Sequence, residues 1–157
     1  MKRLFLLLLI SLTISYSNAQ DTKGDYHTPE IECLGVEEDG SQTLRSWGVG
    51  RNKQDAIEQA KKNAVKAVLF KGIQKGNGEC NVRPLIYEVN AQERYQYYFN
   101  IFFKDDGEYL KYVSMEDTRP LTAKKKKNDA GVRFGITVRV LRAELLQRLI
   151  EDKIVKP

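Results

Sequence analysis

Between Asn52 and Gly72 the chain places alanine at 56, 60, 64 and 67, interleaved with Ile57, Val65 and Val68, which is a stripe at helical spacing. Alanine adds almost nothing to a helix surface, so the axis of such a helix can come very close to what it covers. The pattern therefore predicts a helix over Asn52 to Lys71 lying on a sheet rather than inside a bundle of bulky helices. Asn52 is a good N-cap, Asp55 follows three positions later where it can reach back, and Gly72 stands where a C-terminal glycine is expected. Lys53, Glu58, Lys61, Lys62 and Lys66 make the polar side.

The strands that such a helix needs have their own period. In Thr43 to Val49, Arg45, Trp47 and Val49 alternate with small residues, after a turn-like Glu38-Asp39-Gly40-Ser41. Val132, Phe134, Ile136, Val138 and Val140 alternate with Arg133, Gly135, Thr137 and Arg139, a half-buried strand after the turn residues Asn128 to Gly131, with Thr118 to Lys127 as its expected partner. Leu85 to Val89 and Glu108 to Ser114 read as further short strands, and Ala143 to Ile154 returns to helical spacing through Leu145, Leu146, Leu149, Ile150 and Ile154. Ala91, Tyr95, Tyr98, Phe99 and Phe102 fall on one helical stripe, broken by Asp105-Asp106-Gly107. The fold expected is α+β: a small antiparallel sheet of three or four strands packed against two main helices, Asn52 to Lys71 and Arg142 to Ile154, with an aromatic-rich insertion.

The first 19 residues read as a secretory signal peptide. Met1-Lys2-Arg3 is a basic start, Leu4 to Leu12 a short apolar run, and Ser17-Asn18-Ala19 a small-residue cleavage site. The run is too short to span a membrane, and no transmembrane segment is expected in the mature chain. Loss of Lys2 and Arg3 with the leader lowers the formal net charge from +5 to +3, too mild to argue for a nucleic-acid partner. Residues 20 to 42 are expected to form an N-terminal lead and 43 to 157 a single domain, of which 73 to 112 is the loop and aromatic insertion. Export places Cys33 and Cys80 in an oxidising compartment, where two cysteines allow one connectivity, a Cys33–Cys80 bridge.

The inventory for chemistry is thin. One His, one Trp and two Cys leave little for a metal cage or a nucleophile–base pair, and no metal or cofactor is expected. Gly48-Val49-Gly50 before a helix lacks the third glycine of a dinucleotide fingerprint, because Lys53 stands there, and reads as a turn. The amides at the helix start, with Arg51 and Lys53 beside them, offer an anion contact. Lys124 to Lys127 read as a charged hairpin tip or sheet edge. The carboxylates Glu93, Asp105, Asp106, Glu116 and Asp117 are scattered over turn-like positions and define no cleft, so the chain is expected not to be an enzyme.

Residues 87 to 112 hold nine of the fifteen aromatics. One helix cannot bury Tyr95, Tyr98, Phe99 and Phe102 together with Tyr97, Ile101 and Phe103, so part of this segment should face solvent or a partner. Tyr95, Tyr97, Tyr98, Phe102 and Phe103 are the candidate partner-binding residues, tyrosine being well suited to interfaces.

Trp47-Gly48-Val49-Gly50 running into the alanine-striped helix, and Phe134 to Val140 followed by Leu145, Leu149 and Ile154, resemble the twenty-kilodalton outer-membrane lipoprotein family and the N-terminal domain of flagellar assembly protein T. The resemblance covers Thr43 to Phe70 and Val113 to Ile154 and leaves 73 to 112 unmatched. No lipobox cysteine stands at the expected mature N-terminus. What it implies is a noncatalytic envelope component in a small α+β domain, periplasmic, outer-membrane-associated or secreted, serving an assembly through envelope proteins. The other reading is a periplasmic glycan or small-ligand binding domain that uses Trp47 and the same aromatics.

Overall fold

A computed structural model describes residues 30–121 and 131–156, with side chains at 117–121 not described. The expected signal peptide, His27 and the Lys124 to Lys127 run lie outside the described residues. The chain is α+β, with a five-stranded mixed sheet in the order β3-β1-β2-β5-β4 and four helices. The strands are β1 (Ile31–Val36), β2 (Gln42–Gly50), β3 (Lys75–Gly76), β4 (Val113–Leu121) and β5 (Val132–Val140). The helices are α1 (Lys53–Lys66), α2 (Ala91–Arg94), α3 (Gln96–Phe102) and α4 (Arg142–Glu151), with a 3-10 turn at Glu108–Tyr112.

The sheet is wider than the three or four antiparallel strands expected, for two reasons. β1 lies within the stretch read as a lead and pairs antiparallel with β2, and the two-residue β3 adds a parallel edge by pairing with Glu32 and Cys33. The centre is β2 against β5, paired residue by residue from Gln42↔Val140 to Gly50↔Val132. β4 starts five residues before the expected partner strand, and Glu108–Tyr112 is helical rather than extended. Tyr109 and Tyr112, three apart, both point inward, a spacing that one 3-10 turn satisfies and a strand does not. Leu85 to Val89 forms no strand either. Instead the amides of Leu85 and Ile86 donate to the carbonyls of Val68 and Leu69, capping the π turn Ala67–Lys71 that continues α1.

α1 behaves as its stripe dictates. The Asn52 side chain accepts from the Asp55 amide at 3.0 Å, and Ala56, Ala60, Ala64, Val65 and Val68 are fully buried against the sheet. Gly48 and Gly50 are the last residues of β2 rather than a turn. A Cβ at Gly48 would overlap the carbonyl oxygen of Ala56 and the amide nitrogen of Ala60, so the small residues of helix and strand interlock. Ser46 donates to the Ala60 carbonyl at 2.6 Å, and the Asn63 carboxamide donates to the Trp47 carbonyl at 2.8 Å. Gly72, at φ 74°, ends the turn where a side chain would meet the Val82 carbonyl.

α4 ends at Glu151, not Ile154. Lys153 adopts φ 59°, and the amides of Ile154 and Val155 turn back to the Leu149 carbonyl. Cys33 and Cys80 are bridged, with their Cα atoms 5.8 Å apart, which fastens β1 to the loop leading into the insertion. No helix among the described residues is long and apolar enough to cross a membrane.

Candidate functional site

The insertion presents two faces because α3 is short and its residues divide around the axis. Phe99 and Phe102 are buried, and the aromatic rings pack edge-on for Phe70 on Phe99 at 4.9 Å and Phe102 on Phe103 at 5.0 Å, stacked for Tyr98 on Phe102 at 5.9 Å, and tilted for Phe103 on Tyr109 at 5.8 Å. Tyr98 donates to Asp152 at 2.7 Å beyond α4, and Tyr109 donates to Glu58 at 2.9 Å on α1. Burial and then the carboxylate each one meets push both phenols well above the usual tyrosine range. Burial works against ionised Glu58, but hydrogen bonds from Lys61 and Tyr109, with the charges of Lys61 and Lys62, hold its carboxyl below the usual value.

The five expected contact residues therefore have different places. Phe102 belongs to the core, while Tyr95, Tyr98 and Phe103 are half-buried members of the aromatic cluster. Tyr97 is 83% exposed, and Ile101, one turn along the same side, is exposed with it. Val82, Tyr87 and Val89 add further exposed apolar side chains in the approach to α2. Sequence reasoning named Tyr97 and left out Tyr87, Val82 and Val89 because an irregular loop has no period from which exposure can be read.

The other side of α3 faces α1 across an open groove of about 540 Å³. Gln59, Lys62, Lys66 and Phe70 line it from α1 and its π turn, one helical turn apart. Gln96, Phe99, Asn100 and Phe103 line it from α3, and Gln92 and Glu93 from α2. Lys62 is engaged with Asp105 at 2.7 Å. Lys66 has no carboxylate within ion-pairing distance among the described residues. Although its side chain as a whole is exposed, its ammonium lies 5.1 Å from the centre of the Phe103 ring. Partial burial, then Lys62 and Lys71, lower its pKa. Only Phe103 and Glu93 of this groove were singled out from the sequence. The rest come from two segments about thirty residues apart, which no local pattern joins.

Arg51 and Lys53 are engaged with different partners. Arg51 pairs with Asp55 at 3.2 Å, beside Glu58, Asp105 and Asp106, and the Lys53 ammonium lies 4.8 Å from the Phe134 ring. The Asp55 amide is already taken by Asn52. Glu93 lies in the groove, Asp105 on Lys62, and Glu116 accepts from Ser114 on β4, so these carboxylates share no cleft.

Trp47 lies on the sheet face away from α1. Its indole sits over Gly135, Arg133 lies 5.0 Å from its ring, and the neighbouring arginines are paired: Arg133 with Glu30, Arg45 with Glu32 and Arg139 with Asp39. The sheet thus separates Trp47 from the aromatics of the insertion, and one binding site cannot use both. No group of His, Cys, Asp and Glu among the described residues could hold a metal ion. No family model, curated protein or solved structure matches the chain.

Proposed function

We propose that this chain is a noncatalytic, exported cell-envelope protein that works as an interaction or assembly-accessory module, making contact with envelope proteins through the outer side of its aromatic insertion. The observation that carries the reading is that Val82, Tyr87, Val89, Tyr97 and Ile101, all between residues 82 and 101, are exposed apolar side chains, the last two on α3, whose Phe99 and Phe102 are anchored in the core. Exposed tyrosines with aliphatic neighbours bury area at low entropic cost when a partner arrives. The leader-like residues 1 to 19 and the Cys33–Cys80 bridge support export. The resemblance carried by Trp47 to Gly50 and by Phe134 to Val140 supports an envelope role.

The test is crosslinking of the tagged full chain in its native envelope, comparing wild type with Tyr97→Ser, Ile101→Ser. Both side chains are exposed, so the variant should keep the wild-type melting temperature. Specific proteins captured by wild type and lost from the folded variant support the module. Capture of the same proteins by both, or of none by either, overturns it.

A further inference from the structure

We infer that the groove between α1 and α3 is a binding site for a small acidic saccharide, a single sugar ring bearing one carboxylate. This rests on the groove alone and not on the protein-contact reading, which concerns Tyr97, Ile101 and the loop before them. About 540 Å³ is within the range that holds a small organic ligand.

The lining specifies the chemistry. Gln92, Gln96 and Asn100 make no side-chain hydrogen bonds among the described residues, and each carboxamide offers both donors and an acceptor. Hydroxyl groups, which also donate and accept, are the natural counterpart of three such groups on one wall. Phe70 and Phe103, both half-buried, supply the apolar surface for the C–H face of a ring, with buried Phe99 behind Phe70. The positive charge open to a ligand is that of Lys66, which has no carboxylate partner among the described residues, whereas Lys62 is held by Asp105. Glu93, on the same groove, repels any anionic group that comes near it, which penalises a compact dianion more than one carboxylate held at Lys66.

The test uses the purified chain with its bridge intact, titrated at physiological salt while its backbone amides are followed by NMR. The probes are D-glucuronate, D-galacturonate and N-acetylneuraminate, with D-glucose, acetate and inorganic phosphate as controls. At least one acidic sugar should give saturable shifts confined to 59–70 and 92–103, and glucose, acetate and phosphate should each bind at least about tenfold more weakly. Lys66→Gln should weaken the acidic sugar about tenfold at unchanged melting temperature, and Gln96→Ala should weaken glucose and the acidic sugar alike. The proposal fails if none of the three acidic sugars saturates, if glucose, acetate or phosphate binds as well as they do, or if Lys66→Gln leaves their affinity unchanged. The Tyr97→Ser, Ile101→Ser variant should bind the sugar as wild type does, which keeps this result separate from the partner-capture result.

Discussion

Replacing Gly48 with alanine tests the interlock between β2 and α1 directly. The added Cβ would fall inside contact distance of the Ala56 carbonyl oxygen and the Ala60 amide nitrogen. Both are backbone atoms of a helix and cannot rotate away, so α1 must lift from the sheet. Overpacking of this kind costs about 1–3 kcal/mol. Lifting the helix also stretches the hydrogen bonds from Ser46 to Ala60, now 2.6 Å, and from Asn63 to Trp47, now 2.8 Å. Each is worth about 1 kcal/mol. Alanine returns about 0.4–1 kcal/mol by restricting the unfolded chain. The net loss is therefore about 3 kcal/mol, or about 6–12 °C in melting temperature at 2–4 °C per kcal/mol for a chain of this size. Urea unfolding followed by circular dichroism measures it. Gly78, whose Cβ would meet nothing within 4 Å, is the control, and Gly78→Ala should stay within about 0.5 kcal/mol of wild type. A Gly48→Ala protein as stable as the Gly78→Ala control would refute the claim that the glycine exists to admit the helix.

Cys33→Ser should lower stability by about 4 kcal/mol in the chain-entropy account of a 47-residue separation, read from the urea midpoint with and without reductant; two thiols titrating in oxidised, denatured wild type would contradict the bridge. Tyr109→Phe leaves Glu58 without its donor from beneath the insertion and should cost about 1.5–3 kcal/mol, with Lys61 still paired to Glu58; a midpoint within about 0.5 kcal/mol of wild type would show that the hydrogen bond contributes nothing net. Asp39 is held at about 2 by hydrogen bonds from the Ser41 side chain and backbone and then from Arg139. Its folded pKa lies below its unfolded one, so its contribution is present above about pH 4 and disappears as pH falls toward 2. The stability gap between wild type and Asp39→Asn should close over that window, and a gap that is constant with pH would remove Asp39 from the acid response.

The parts of the fold that could be read from the sequence are those where one element carries a whole period. The alanine stripe, the Asn52 cap and the alternation of Val132 to Val140 each span several turns or pairs, and the structure places them as their periods require. β1 escaped because its apolar residues Ile31, Cys33, Leu34 and Val36 do not alternate with polar ones: the register shifts between Cys33 and Gly35, and Leu34 and Val36 are apolar although exposed. β3, with two residues, has no pattern at all. The 3-10 turn was mistaken for a strand because five residues cannot separate a spacing of three from a spacing of two. Within the aromatic segment the excess of rings over one helical face was legible, but not which residues it exposes: Tyr97 and Ile101 face solvent while Phe103, expected alongside them, is half-buried. The groove was not, because Lys66 and Asn100 become neighbours only when the insertion folds back along α1, an event fixed by Tyr109 reaching Glu58 and by Leu85 and Ile86 docking on the end of the helix.

α1 serves two surfaces at once, and its residues divide cleanly between them. Ala56, Ala60 and Ala64 are buried against the sheet, whereas Gln59, Lys62 and Lys66, with Phe70 of the π turn that continues the helix, line the groove. A change at Lys66 or Gln59 leaves the sheet-facing row untouched, so relatives of this chain can drift in what the groove admits while the scaffold stays constant. Tolerance scanned along this one helix would therefore rise and fall every three or four positions, with the intolerant row marking architecture and the tolerant row marking where new specificities arise.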